Sequence, residues 1–392
     1  MTAAAQPPDI RRANLAAALR TVLDEGPVPR SDLAARLGLS HATISRIVGR
    51  AVAAGLLREL PSVSGGGGRP KVPVDLVADA RLTIGLYFGR QRTTAGLVDL
   101  RGQVREVATI ERGPGSAAEL LPGAAGLVRT LLKRARSTPV LGVGAAAGGW
   151  VDPTAGVVVD NEALGWRDVP LRRLLEDATG LPVRVDAGAR AHATAELWFG
   201  GERTEGCSVH LFTGNVIDAA IAMGRRVHTG ARSGAGAVGH LPVREGGPAC
   251  ACGRTGVLQA VAADSAVLTQ AVERELLGPG AGLEALATLA LSGSREADGL
   301  LRARARHIGT AVAHLVDLLD PDLVVLSGGV LAVPDHLEEV RREAVLRIGR
   351  GWDPRVVRAT GLGPGPQALV ASSAALLLSA YFADPMAYET LS

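Results

Sequence analysis

Cysteine is scarce in this sequence: 392 residues hold three, Cys207, Cys250 and Cys252. Three thiols cannot build a disulfide framework, so a reducing compartment, the cytoplasm, is expected. Long apolar runs are missing too, although 47% of residues are hydrophobic. The best stretch, 368–382, is broken by Ser372, Ser373 and Ser379 and reads as a core helix, so no membrane partner is expected. The opening MTAAAQPPDI has neither a basic start nor an apolar segment, which argues against an export signal. No GK[ST] follows any glycine run, which excludes a Walker phosphate loop. Lysine is short as well, two against forty arginines, so a pI of about 9.0 partly reflects base composition.

What is present is more telling. The length allows a large core divided into two or three domains. Residues 1–75 carry ten Lys/Arg against six acids, a local charge of +4, while the remaining 32 basic and 33 acidic residues net to −1. The excess positive charge therefore sits in the N-terminal fifth, and that segment alone suits a polyanion.

That segment reads as helices. Residues 9–24 place Ile10, Leu15, Ala18, Leu19, Val22 and Leu23 on one face. Gly26 and Pro27 end the helix, and Pro29 keeps the chain extended. Ser31 is the expected cap of a short helix over 32–37, with Gly38 as the tight turn. Ser40 caps a third helix whose inward stripe is Ile44, Ile47, Val48, Ala51 and Val52. A helix-turn-helix presents the start of its second helix to base edges in the major groove. Ser40, His41, Ala42, Thr43 and Ser45 are the candidates for that role. Arg46 and Arg50 suit either phosphate or guanine. The bland alternative is a three-helix packing module, but the cap, turn glycine, polar outer face and local charge favour DNA.

A glycine run over 64–68 leads into Arg69-Pro70-Lys71. A plain linker needs no Arg-Pro-Lys. As a wing, Arg69 and Lys71 would meet the DNA, with Arg69 suited to a narrow A·T minor groove.

Beyond residue 80 the chain alternates strand-like runs (82–88, 94–99, 140–145, 183–186, 208–212, 323–326) with helical ones (117–136, 171–179, 298–320), which argues for an α/β body. Four segments make this specific: GVGAAAGGWVDPTAGVVV at 142–159, LGWRDVPLRRLLEDATGLPVRVD at 164–186, GHLPV at 239–243 and CACGRTG at 250–256. Together they resemble the ROK family of repressors, open reading frames and sugar kinases, over essentially the whole chain. The resemblance implies a winged helix-turn-helix over 1–75, followed by an actin-like (ribonuclease H-like) α/β body of two domains. These would span 80–196 and 197–367, with a closing helix at 368–383 packed back on the first. It also implies a sequence-specific transcriptional regulator of the repressor type, acting as a homodimer or homotetramer on double-stranded operator DNA.

The family's kinase members carry D-x-G-G-T, a GTG loop and a D-N-D segment holding the general base. Here those places read Tyr87-Phe88-Gly89-Arg90-Gln91, Gly214-Asn215-Val216 and Asp186-Ala187-Gly188. Glycine takes no proton, and loss of a general base alone typically costs about 10²–10⁴ in rate. A non-enzyme that uses no ATP is the expectation, and a sugar kinase with an accessory reader is the alternative. The family's sugar-binding positions are occupied by Ala187, Gly188, Ala237 and Gln259, with only His240 keeping its type. Losing those partners removes most discrimination for hydroxyls. The small-molecule effector is therefore unidentified and not expected to be an ordinary free hexose. Asp186, Arg190, His192, Arg232 and His240 are the polar groups left near the cleft, open to an effector-binding or a structural role.

The resemblance also implies a structural zinc on one His and three Cys. His240, Cys250 and Cys252 match, and Val257 stands at the third Cys position. Zinc held by three residues and a fourth donor, or a metal-free loop, are the two readings.

Overall fold

A computed structural model describes residues 7–62, 71–111, 115–200, 204–348 and 351–388. The N-terminal unit comprises α1 (Pro7–Glu25), β1 (Val28–Pro29), α2 (Arg30–Leu37), α3 (His41–Ala53), β2 (Leu57–Glu59) and β3 (Pro73–Leu76). The three short strands form one antiparallel sheet in the order β1-β3-β2, the base of a wing behind the helices. Gly38 turns α2 into α3 at φ 62°, a left-handed conformation that glycine adopts without a Cβ clash.

Two expectations are corrected here. Ser31 does not cap α2: the helix begins at Arg30 behind extended Pro29, and the Ser31 hydroxyl donates to Asp32 Oδ1 at 2.9 Å. A proline at the entry fixes φ and starts the helix two residues early. Ile10 is not inward-facing; it is 49% exposed, because the buried face of α1 starts only at Leu15.

The body has two five-stranded sheets. The first is built from β4 (Leu82–Phe88), β5 (Arg92–Asp99), β6 (Val104–Glu111), β7 (Val140–Ala147) and, beyond a small sheet of β8 (Trp150–Asp152), β9 (Val157–Asn161) and β10 (Trp166–Val169), β11 (Val183–Ala187). Its order is β11-β7-β4-β5-β6. Helices α4 (Ala117–Arg134), α5 (Leu171–Thr179) and α6 (Gly188–Phe199) accompany it. The second sheet runs β14-β13-β12-β15-β16, from β12 (Cys207–Thr213), β13 (Ile217–Met223), β14 (Arg226–His228), β15 (Leu323–Gly328) and β16 (Val357–Ala359). It is covered by α7 (Leu258–Ala262), α10 (Arg295–Leu319) and α11 (His336–Ile348), while α8 (Asp264–Glu273) and α9 (Leu283–Leu291) pack on the start of α10 in a separate cluster. Parallel pairs β4–β7, β7–β11, β12–β15 and β15–β16 give each half its α/β character.

The last helix, α12 (Gly365–Ala383), lies against the first sheet at a distance only glycine permits. A Cβ on Gly85 would sit 2.0 Å from the Val370 carbonyl oxygen, and one on Gly144 would sit 1.9 Å from that of Ser373. Among the described residues α12 alone is long and apolar enough to cross a membrane, and its side chains are mostly buried in this core. Leu377, Leu378, Tyr381 and Phe382 of α12 share one apolar cluster with Leu15, Leu19 and Val22 of α1. The N-terminal unit is therefore docked on the body rather than tethered to it.

Candidate functional site

The outer face of α3 is built for contact. Ser40 Oγ accepts from the Thr43 backbone N–H at 3.2 Å and lies 2.9 Å from Thr43 Oγ1, fixing the first turn. Ile44, Val48 and Ala51 are buried on the inner face, which leaves His41, Ala42, Ser45, Arg46 and Arg50 exposed and Thr43 half-buried. Arg46 and Arg50 form no ion pair among the described residues. Other cations of the unit do: Arg36 with Glu25, Arg30 with Glu59, and Arg58 with Asp75 at 3.5 Å. Lys71 reaches back to Asp32 Oδ1 at 2.8 Å, which ties the wing's returning strand to the first turn of α2. Arg69 lies outside the described residues.

Between the two halves of the body, the segments that the resemblance aligns with the kinases' phosphate loops and base carry packed side chains. Tyr87 is buried at the end of β4, and a Cβ on Gly188 would lie 3.4 Å from both its Cε2 and its hydroxyl. Across the cleft Val216 packs on Gly148, where an added Cβ would meet Cγ2 at 2.9 Å. Asp218 Oδ2 accepts from the Gly149 N–H at 3.3 Å. Burial raises the Asp218 carboxyl to about 6 and pushes the Tyr87 phenol above its ordinary range. Gln259 holds the hairpin turn from both ends of its amide: Oε1 accepts from Ile217 N at 2.9 Å and Nε2 donates to Asn215 O at 2.6 Å.

The other cleft candidates separate. Asp186 Oδ1 accepts from Arg190 Nε at 2.7 Å and from the Ala187 N–H at 2.7 Å, and burial raises its carboxyl. Arg190 is buried, and its remaining donors go to Ser233 O at 3.1 Å and Val151 O at 2.6 Å. His192 is buried with Nδ1 3.1 Å from Gly188 O and its ring 4.8 Å from that of Phe212; burial lowers it to about 4, so the ring is neutral. Arg232 is exposed, with its carbonyl accepting from Trp150 Nε1 at 2.7 Å. His240 faces the cysteine loop instead, with Nδ1 4.0 Å from Cys250 Sγ.

In that loop the ligand atoms of His240, Cys250 and Cys252 all lie within 4.8 Å of one another. Three such donors fit three corners of a tetrahedral zinc site. Val257 is fully buried and brings no donor, and Cys207 lies apart at the start of β12, its N–H bonded to Asp322.

Asp218 and Trp150 were not singled out as site residues by the sequence, and Val216 and Gln259 entered only as replacements at the family's phosphate-loop and sugar positions. Asp218 carried one signal, a lone acid inside the apolar run of β13.

A winged helix-turn-helix fused to a two-domain, actin-like α/β body defines a DNA-binding transcriptional regulator with a ligand-type cleft. Residues 83–360 match the ROK family and residues 16–66 match the MarR family of winged-helix proteins. The chain belongs to the ROK family. It is similar to a transcriptional regulator of Mycobacterium tuberculosis (strain H37Rv), at 35% identity over 97% of this chain and 89% of the relative. A protein of Caldicellulosiruptor sp. described as a putative xylose repressor is 29% identical, covering 85% of this chain and 87% of its own. Among solved structures, a ROK family transcriptional regulator homologous to the Escherichia coli MLC protein superposes with a TM-score of 0.76. That pair covers 95% of this chain and 97% of the other at 22% identity, a likeness of fold.

Proposed function

We propose that this protein is a ligand-responsive repressor: a homo-oligomer, at least dimeric, presents paired α3 helices to a palindromic operator. The observation that carries the reading is a pairing of opposites. The outer face of α3 is exposed and cationic with two arginines that form no ion pair among the described residues, while the Tyr87 ring lies beside Gly188 where this reading puts phosphate transfer in the family's kinases. A site for phosphoryl transfer needs room for phosphate and a base for the attacking hydroxyl. This chain offers neither, so the body senses rather than catalyses.

The effector would enter from the Trp150–Arg232 side of the cleft. Ala187, Gly188 and Ala237 carry no hydroxyl partner, and the Gln259 amide is engaged by the hairpin. A free hexose is a poor fit to that surface. Arg190 and His192 serve as internal struts in this reading, and Asp186 orients Arg190; Arg232 remains available to a ligand, while His240 belongs to the cysteine loop. His240, Cys250 and Cys252 would hold zinc with water as the fourth ligand, a weaker site than one of four residues. The protein works in the cytoplasm, where its DNA is.

A mobility shift of the upstream region of the protein's own operon tests the reader, and an ATP-consumption assay over a sugar panel tests the body. Retarded DNA with background ATP turnover is expected. Turnover above background with no retarded fragment would restore the kinase reading.

A further inference from the structure

We infer that α6 is a lever joining the cleft to the DNA reader. It is a rigid rod with one functional end in each place. At its N-terminal end, Gly188 abuts Tyr87, and Arg190 donates across the cleft to Ser233 O and, within its own half, to Val151 O. At its other end, two turns or about 12 Å further along the axis, Trp198 is 8% exposed and stacks on Phe382 of α12 at 6.1 Å. The same indole receives two cations. The Arg20 guanidinium of α1 lies 4.9 Å from its centroid, and that of Arg225, in the turn after β13, lies 5.8 Å away. Asp24 of α1 completes the joint with an ion pair to Arg225 at 2.8 Å.

Between those ends, most of α6 is buried, Gly188 to His192 and Ala195 to Trp198 included. A helix so enclosed in close-packed surroundings moves as a unit or not at all. The reader end is also the less satisfied of the two. Arg20 Nε is buried without a hydrogen-bond acceptor among the described residues, and burial together with the like charge of Arg225 lowers the Arg20 guanidinium. A buried donor left unpaired raises the free energy of the docked arrangement and brings it near an undocked one. At the cleft end, by contrast, Arg190 is fully committed. A ligand that lifts the 230–236 loop off Arg190 removes the clamp at that end. The lever then transmits the change to Trp198, and α1 loosens its grip on the body. The inference rests on the proposed repressor for its use, not for its physics.

The test uses hydrogen exchange of α1 amides in the full-length protein without DNA, so that operator binding does not enter the result. Arg190→Lys keeps the charge beside Asp186 but cannot reach all three acceptors. Arg225→Met strips one cation and the Asp24 partner from the reader end. Both should accelerate exchange over 15–22 by about fivefold, the scale of one partly exposed cation–π contact. If Arg190→Lys leaves those amides at the wild-type rate while Arg225→Met quickens them, the joint stands and the lever falls. If Arg225→Met also changes nothing, the joint itself is wrong. Should Arg190→Lys lack the wild-type circular dichroism, Trp150→Phe decides by the same readout, since it keeps an aromatic ring and removes the Nε1 donor that pins Arg232 O. A wild-type protein that shifts no promoter fragment would sink the repressor reading while leaving the exchange result intact.

Discussion

Tyr87 and Gly188 lie side by side: a Cβ on the glycine would touch Cε2 and the hydroxyl of the ring at 3.4 Å, ordinary contact distance, so anything longer than a methyl group meets the ring. In the proposed reading, the two positions stand where the family's kinases carry the phosphate cradle and the general base, and one packed contact takes the place of both. Restoring the base alone therefore does not restore chemistry. A carboxylate on Gly188→Asp extends past the Cβ into Tyr87 and adds charge beside Asp186 and the part-buried Asp218. It should cost about 1–3 kcal/mol of stability by overpacking and charge burial, read as a lower denaturant midpoint, with ATP turnover still at background. Turnover in this variant would show that the cleft retains a working phosphate site.

Arg46 and Arg50 divide by the way their loss is felt. A residue bonded bidentate to guanine loses about 1–3 kcal/mol on truncation and relaxes specificity at one base pair. A phosphate contact weakens all sequences alike and lowers the salt slope by about one. Arg46 lies one turn nearer the capped start of α3, so Arg46→Ala should change sequence preference, and Arg50→Ala should change mainly the salt slope. Titration of a footprinted site and a scrambled one at several salt concentrations separates the two. Equal affinity and slope in both variants would remove this face of α3 from the interface.

Much of the frame was legible in the sequence because periodicity and turn chemistry are local. The runs 82–88 and 171–179 match β4 and α5 residue for residue, and Ser40 and Gly38 act as read. What failed was also local in cause. Ser31 lost the cap to the geometry imposed by Pro29, and Ile10 falls on the helical stripe but beyond the surface that α12 covers. The cleft was legible by residue type and not by direction. Arg190 and His192 look like ligand groups until the packing of α6 turns both inward. Asp218, Gln259 and the Arg20–Trp198–Arg225 joint depend on partners between 27 and 178 positions away, and no window of sequence holds them together.

The cysteine loop makes a metal prediction. Three donors grouped within 4.8 Å bind zinc less tightly than four, and an open fourth corner admits water and chelators. Purified protein should therefore lose its zinc to a mild chelator, measured by metal analysis after desalting. Val257→Cys supplies the missing thiolate at the family's position and should slow that loss by tenfold or more, on the order of the effect of one ligand. Zinc retained equally by Val257→Cys and wild type would mean that residue 257 does not face the site. No zinc in either would favour the metal-free loop.

Asp218 makes the last prediction, and its sign follows from burial. The folded state raises this carboxyl from the ordinary carboxylate range to about 6, so folding favours its protonated form. That contribution is complete below about pH 4 and is lost as the pH rises through 6. The full shift corresponds to about 3 kcal/mol, but the residue keeps partial exposure, and solvent screening leaves about 1–2 kcal/mol. Asp218→Asn is neutral throughout and should unfold with a flatter pH profile, more stable than wild type at pH 7.5 and no better at pH 4.5. His192 imposes the opposite slope on both proteins, because a buried neutral ring held at about 4 loses stability as the pH falls below 6.5. Only the difference between wild type and Asp218→Asn isolates the carboxylate, and urea melts at pH 4.5, 6 and 7.5 measure it. A difference that does not change with pH would place Asp218 among ordinary solvated carboxylates, and the closed contact between Gly149 and Asp218 would then be open in solution.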